Sequence, residues 1–322
     1  MALQVEVMRG ARLCVETCMG VQPNEKVLII TDQAYMDQAQ SIAATVYLFG
    51  ADPLILTIPA RRMYEKEPPR PVAEAMKASD VVLLTMPPLF AHFLYHTTAR
   101  KEATAGGTRL ANIWLSPENW DLTPEEIQET RRLSETIQGL LTRATRARLR
   151  TPGGTDLTLG LEGREAIMLS SLLTKPGESG AIPDYAEAAI APVEGTTEGV
   201  FRVDASMLGV GLLKEPMTFI IRKGQLAEIR GGEEKVQLEE LLGRADANAR
   251  NIAELGIGTV TRGKITGAVD DKRLFGTAHI AVGDNHSIGG VTRSNIHLDA
   301  VTVDAVLELD GKVIIEGGKL RV

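Results

Sequence analysis

The stretch Gly276–Asp299, GTAHIAVGDNHSIGGVTRSNIHLD, concentrates side chains that can bind a cation. Three of the chain's five histidines, His279, His286 and His297, fall inside it, and Asp299 follows the last of them by two residues. On a strand, residues i and i+2 share a face, so His297 and Asp299 can grip one ion. FGTAHIAVG alternates apolar and polar residues, which places His279 on a second strand. Upstream, Glu187 in DYAEAAIAP and Glu254 in IAELGIG are carboxylates embedded in apolar, turn-bounded runs. An ionised carboxylate in such surroundings is costly unless it is paired or coordinating. Mixed carboxylate and imidazole donors suit zinc, cobalt, manganese or iron(II) better than calcium. Between His286 and His297, Gly289 and Gly290 would let backbone approach a substrate, and Arg293 could hold a carboxylate or an oxyanion. A solvated surface arginine is an equally open reading of Arg293. Spacing alone leaves a metal site and a set of ordinary, internally satisfied groups equally open.

Two other pairs could do similar chemistry. Cys14 and Cys18 lie one helical turn apart, but with no further soft ligands nearby they read as buried thiols of a core stripe. His92 and His96, also at i and i+4, could form a two-histidine metal face. With no acidic partner beside them they read instead as part of a packed or interface helix.

The elements that must position these residues change character midway. Val5, Met8, Ala11, Val15 and Cys18 recur at helical steps. KVLIITD, DPLILTI, DVVLLTM and ANIWLS are short apolar runs separated by helical patterns, one of them Gln38–Phe49 ending at Gly50. Such runs predict a parallel sheet covered on both faces. Thr123-Pro124-Glu125-Glu126 has the chemistry of a helix start, a capping box with proline at the first helical position, for a helix reaching about Ala144. Beyond it, RARLRTPGGTDLTLGL, GVFRVDAS, MTFIIRKGQLAEIRGG and AVLELDGKVIIEGG alternate around turn residues, as hairpins do. One helix interrupts, from about Glu234 to Ile252. The expected fold class is therefore α/β. A parallel α/β domain over residues 1–145 precedes a β-rich α+β domain over 146–322, and the second carries the candidate metal site.

The composition, 44% hydrophobic and 24% charged, is that of a globular protein, and the net charge of −7 disfavours nucleic acid or an anionic membrane as a partner. No apolar run reaches the length of a membrane span, and MALQVEVMRGARL lacks the apolar core of a secretory signal. The expected compartment is the cytoplasm.

The second half resembles the aminopeptidase T family, the thermophilic leucyl aminopeptidases. PDYAEAAIAP is similar to that family's proline-flanked Gly-Glu segment and IAELGIGTV to its Glu-Leu-Gly-Ile-Gly segment. GTAHIAVGDN and SNIHLD match its two histidine segments, and LDGKVIIEGG its final hairpin. The resemblance implies a two-domain homodimer that removes N-terminal residues from peptides. It makes Glu187, Glu254, His279, His297 and Asp299 ligands of two divalent ions, zinc, cobalt or manganese, which activate a water. Glu254 would bridge the ions, or else Glu187 or Glu254 would act as general base. The family has a tyrosine ligand where this chain has His286, which could still bind metal. An alternative is a ring-opening dioxygenase for dihydroxypyridines, a group that resembles the same scaffold. It would use one iron(II) held by His297, Asp299 and either His279 or His286 on a small-molecule substrate. A third reading, a scaffold protein without activity, is disfavoured by the presence of five of the six expected ligand positions.

Overall fold

The apolar runs of the first half form strands Lys26–Thr31, Asp52–Thr57, Val81–Thr85 and Arg109–Ile113 in a computed structural model. That structure describes residues 5–59, 67–86, 94, 97–113, 122–267 and 270–322. The strands pair in parallel in the order 52–57, 26–31, 81–85, 109–113, and a fifth, Ser179–Ile182, adds in parallel beside 109–113. Successive side chains point to opposite faces. Val27, Ile29, Val81, Leu83 and Ala111 enter one core with Ala11, Cys14, Cys18, Ile42 and Val46 from the helices. Leu28, Ile30, Val82, Leu84 and Leu110 enter another with Val72, Met76, Ala99 and Ala103. Burial on both faces is why these strands read as continuous apolar runs and not as alternating ones.

The first helix, Val5–Arg12, continues as a π-helical segment, Leu13–Cys18. The buried stripe is Val7, Ala11, Cys14, Val15 and Cys18, and Met8 is only half-buried. Cys14 and Cys18 are free thiols in this core, and burial pushes the Cys18 thiol well up. His92 and His96 lie outside the described residues. Among the described residues, no helix is long and apolar enough to cross a membrane.

The second half is built of hairpins at the expected turns. Arg146–Arg150 pairs antiparallel with Asp156–Gly160, Met217–Arg222 with Gln225–Arg230, and Val306–Leu309 with Lys312–Glu316. Asp310 and Gly311 both take positive φ (47° and 85°), as a tight hairpin turn of this hand requires. An eight-stranded and a seven-stranded sheet supply one core: Leu149, Leu157, Phe201, Phe219 and Leu307 from the former, Ile190, Leu255, Ile257, Ile280 and Ala300 from the latter. The interrupting helix is Glu233–Arg244, shorter than expected, because the apolar run after it is spent on the strand Ile252–Gly258.

By internal contact the chain divides into Met1–Arg131 with Leu169–Tyr185, and Arg132–Met168 with Ala186–Val322. The sequence suggests a single cut at 146. The fold departs from it because Ser179–Ile182 completes the parallel sheet and returns that segment to the first unit. The division falls inside the helix Pro124–Arg143, whose start is the expected capping box. Glu126 N–H donates to Thr123 Oγ1 (3.2 Å) and Thr123 N–H to Glu126 Oε2 (2.8 Å). Thr123→Ala is expected to cost about 1 kcal/mol in denaturant unfolding; an unchanged midpoint would mean that this box does not hold the helix start.

Candidate metal centre

Five of the candidate residues, Glu187, Glu254, His279, His297 and Asp299, lie on four adjacent antiparallel segments: Glu187–Ile190, Ile252–Gly258, Ala278–Gly283 and His297–Thr302. Register decides which of them meet. Glu187 pairs with Gly258, Gly256 with His279, Glu254 with Ala281, Ala281 with Asp299, and Gly283 with His297. Directly paired residues share a face, so all five candidates face one way. The intervening residues Ala188, Ile190, Leu255, Ile257, Ala278, Ile280, Val282 and Ala300 face the other and fill the core. A bulge between Ile252 and Glu254 lets Ile252 enter that core while Glu254, two residues later, faces the site.

The small residues have work on the site face. A Cβ at Gly256 would overlap the His279 ring, and one at Gly258 would overlap the backbone of Arg273 and Leu274. The two glycines of IAELGIG therefore admit the imidazole and the 3₁₀ turn Asp271–Arg273 respectively. All three residues of that turn are buried. Asp271 ties it down by accepting from Thr266 N–H (2.8 Å), Thr266 Oγ1–H (3.1 Å) and Gly267 N–H (2.7 Å).

The turn delivers Lys272, which the sequence analysis does not single out. With it the polar groups form a closed ring in which acids and nitrogen groups alternate. Lys272 Nζ lies 3.1 Å from Glu187 Oε1 and 3.2 Å from Asp299 Oδ2. His279 Nε2 lies 3.6 Å from Glu187 Oε2 and 3.1 Å from Glu254 Oε1. His297 Nε2 lies 3.1 Å from Glu254 Oε2 and 3.4 Å from Asp299 Oδ1. Each carboxylate thus gives one oxygen to each of its two neighbours. Glu187, Glu254, Asp299 and His279 are at most 5% exposed.

His297 Nδ1 lies 2.7 Å from the Asp284 carbonyl oxygen, an acceptor, so Nδ1 carries a proton. In the neutral ring this leaves the Nε2 lone pair facing Glu254 and Asp299, the tautomer a metal needs. Without a metal, burial disfavours the charged imidazole, but contacts to Asp299 and Glu254 overcome this and hold its pKa well above the ordinary value. Burial pushes the Glu254 and Asp299 carboxyls up; the Lys272 ammonium and the histidines outweigh it and hold both below the usual carboxylate range.

Two overlapping groups offer ligand atoms within 4.8 Å of one another: Glu187, Glu254 and His279, and Glu254, His297 and Asp299. The donors fit a divalent cation. They are carboxylate oxygens and imidazole nitrogens, Asp299 Oδ1 accepts no hydrogen bond although buried, and three acids face one ammonium. His286 is in neither group. It sits exposed on the turn His286–Ile288, where Arg293 Nη2 donates to its Nε2 (2.6 Å). The loop folds this pair outward because Glu194 accepts from Asn285 Nδ2 and Val291 N–H (both 2.9 Å), while Asn285 Oδ1 accepts from Thr292 N–H (2.8 Å). Asp284 and Lys272 escaped the sequence reading for different reasons. Asp284 acts through its main chain, and Lys272 stands in the charged run DDKR, which reads as surface.

The second unit thus carries a buried ring of acids and imidazoles with the composition of a metal centre. The family model for 2,5-dihydroxypyridine 5,6-dioxygenase, NicX, matches residues 11–322, so the chain belongs to that family. The 2,5-dihydroxypyridine 5,6-dioxygenase of Pseudomonas putida KT2440 is 24% identical over 264 residues, 76% of this chain and 71% of its own. The solved structure of the 2,5-dihydroxypyridine dioxygenase from that organism superposes with a TM-score of 0.79 at 18% identity, covering 99% of this chain and 98% of the other. AmpT of Thermus thermophilus superposes with a TM-score of 0.70 at 18% identity over the full length of both. These findings correct the expectation of a peptide-cleaving metallohydrolase. The likeness to aminopeptidase T is one of fold. The quoted segments specify strands, glycines and the polar face of one sheet, and the family match favours the dioxygenase alternative.

Two measurements follow. Gly256→Ala should displace the His279 ring and lower stability by about 1–3 kcal/mol in urea unfolding; unchanged stability would mean that the strand yields freely. The second concerns protons. In the metal-free protein, the raised His297 contributes stability that is present below the ordinary imidazole pKa and lost as pH rises through its raised value. The lowered Glu254 and Asp299 contribute stability present above the ordinary carboxylate pKa and lost as pH falls through their lowered values. A metal ion binding at His297 Nε2 must therefore expel a proton near neutral pH. Calorimetry in buffers of different ionisation enthalpy should show about one proton released per ion; none released would contradict the assignment.

Proposed function

We propose that this protein is a non-haem iron(II) dioxygenase that opens the ring of a dihydroxypyridine, with 2,5-dihydroxypyridine as the first substrate to test. The observation that carries this reading is a buried acid–imidazole ring, of metal-binding composition, in a chain that belongs to this family. Glu254, His297 and Asp299 would hold the ion, because they combine mutual reach with a fixed His297 tautomer. His279 stands at the other Glu254 oxygen, in place of His286, as the second histidine of the site. In this reading His286 and Arg293 stay outside the ligand set. Iron(II) would supply the redox chemistry that joins dioxygen to an electron-rich ring.

The chain's own groups do the positioning. The Asp284 carbonyl orients His297, and Lys272 holds one oxygen of Asp299, leaving the other toward the imidazole. His279 fixes Glu254 from the far side. The face opposite the site is packed into the core, so these side chains have little freedom to swing away. The reading keeps the expectations of a cytoplasmic protein and a small-molecule substrate, and the homodimer that the resemblance to aminopeptidase T implies.

The test is oxygen uptake by anaerobically iron-loaded protein on addition of 2,5-dihydroxypyridine. One dioxygen per substrate, with loss of the aromatic absorbance, is expected, and His297→Ala and Asp299→Ala should fall to background. No uptake by the wild type, or full turnover in either variant, would refute the proposal.

A further inference from the structure

We propose that Lys272 is a built-in cation of the metal centre: its ammonium takes the charge and the carboxylate oxygens that a second metal ion would need, and so limits the site to one divalent ion. The inference rests on the cluster binding a metal, not on which ring is opened.

The geometry comes first. In the closed ring, Glu187 and Glu254 are joined through His279, and Glu254 and Asp299 through His297. Glu187 and Asp299 are joined through Lys272. The first two junctions are imidazoles, which have a lone pair to offer a metal. The third is an ammonium, which has three donors and none. Lys272 takes one oxygen from the outer carboxylate of each candidate group, so that only Glu254 has both oxygens turned to imidazoles.

Charge gives the same answer. Three carboxylates and one ammonium, with neutral imidazoles, sum to −2. One divalent ion brings the ring to zero. A second would leave +2 among side chains that, His297 apart, are at most 10% exposed, and a buried net charge of either sign is disfavoured. His286 cannot offset it, since it is uncharged when neutral and lies exposed beside Arg293.

The placement of Lys272 is also built. A lysine is rarely buried unless paired. Here its turn is tied by three hydrogen bonds to Asp271, its carbonyl oxygen accepts from Thr277 Oγ1 (3.3 Å), and Gly258 lets the turn lie against the strand that carries Glu254. The backbone is fixed where the ammonium reaches two acids at once.

The experiment strips wild type, Lys272→Ala and Lys272→Arg with chelator and titrates each with Mn(II). Bound ions are counted by plasma mass spectrometry after gel filtration, and electron paramagnetic resonance detects coupled pairs. Wild type and Lys272→Arg should saturate at one ion per chain. Lys272→Ala, whose ring carries −3 and so reaches only +1 with two ions and frees an oxygen of Glu187 and of Asp299, should saturate at two, with the spectrum of a coupled pair. Two ions in the wild type, or one in Lys272→Ala at saturating Mn(II), overturns the proposal. Should Lys272→Ala fold only with Mn(II) present, two ions per folded chain support it and one overturns it. Oxygen uptake separates the two readings. An inactive protein with the expected counts keeps this proposal and loses the dioxygenase, while an active wild type holding two ions does the reverse.

Discussion

Among the described residues, three carboxylates meet one lysine ammonium in a buried ring, and that imbalance of charge constrains the side chains around it. Glu187, Glu254 and Asp299 are at most 5% exposed, and an ionised carboxylate so far from water is costly unless cations or hydrogen-bond donors face it. Lys272 answers part of the demand and the two imidazoles mediate the rest. The ring has the composition of a divalent-metal site. The depressed carboxylates and the raised His297 are the protein's own response in the absence of a metal.

The fold meets this constraint by making one sheet serve two purposes. Along Ile252–Gly258 and Ala278–Gly283, one set of side chains is apolar and packs into the core of the second unit, while the other carries the acids, the imidazole and the glycines. A bulge between Ile252 and Glu254 resets the alternation, so that Ile252, Leu255 and Ile257 face the core while Glu254 and Gly256 face the site. The rigidity of the site is thus borrowed from packing: to displace a ligand, the strand must also disturb Leu255, Ile257 or Ile280.

Much of this was legible in the sequence, and the limits were physical. Local chemistry was readable. Four of the five parallel strands, the Thr123 capping box and the Asp310-Gly311 turn follow from residues close together in the chain. What depended on distant pairing was not. Ser179–Ile182 is a short strand that takes its place only beside Arg109–Ile113. The same applies to the site. Glu187, Glu254, His279, His297 and Asp299 could be suspected from their apolar surroundings, but their meeting is set by register across four segments. Lys272 was invisible because nothing in DDKR distinguishes a buried lysine from a solvated one. His286 misled for a similar reason, since its distance along the chain from His279 says nothing of a loop that turns it to solvent. The chemistry was the hardest part to read, because the segments resembling aminopeptidase T encode a scaffold and not a reaction.

Where a metal ion lies in the ring, and how many there are, decides the chemistry of the site. Anomalous diffraction at the iron edge, from crystals grown anaerobically with iron(II), reports both at once. One peak bonded to Glu254, His297 and Asp299, with the Lys272 ammonium still spanning Glu187 and Asp299, is the predicted result. A ring with no peak, or with two, would contradict it.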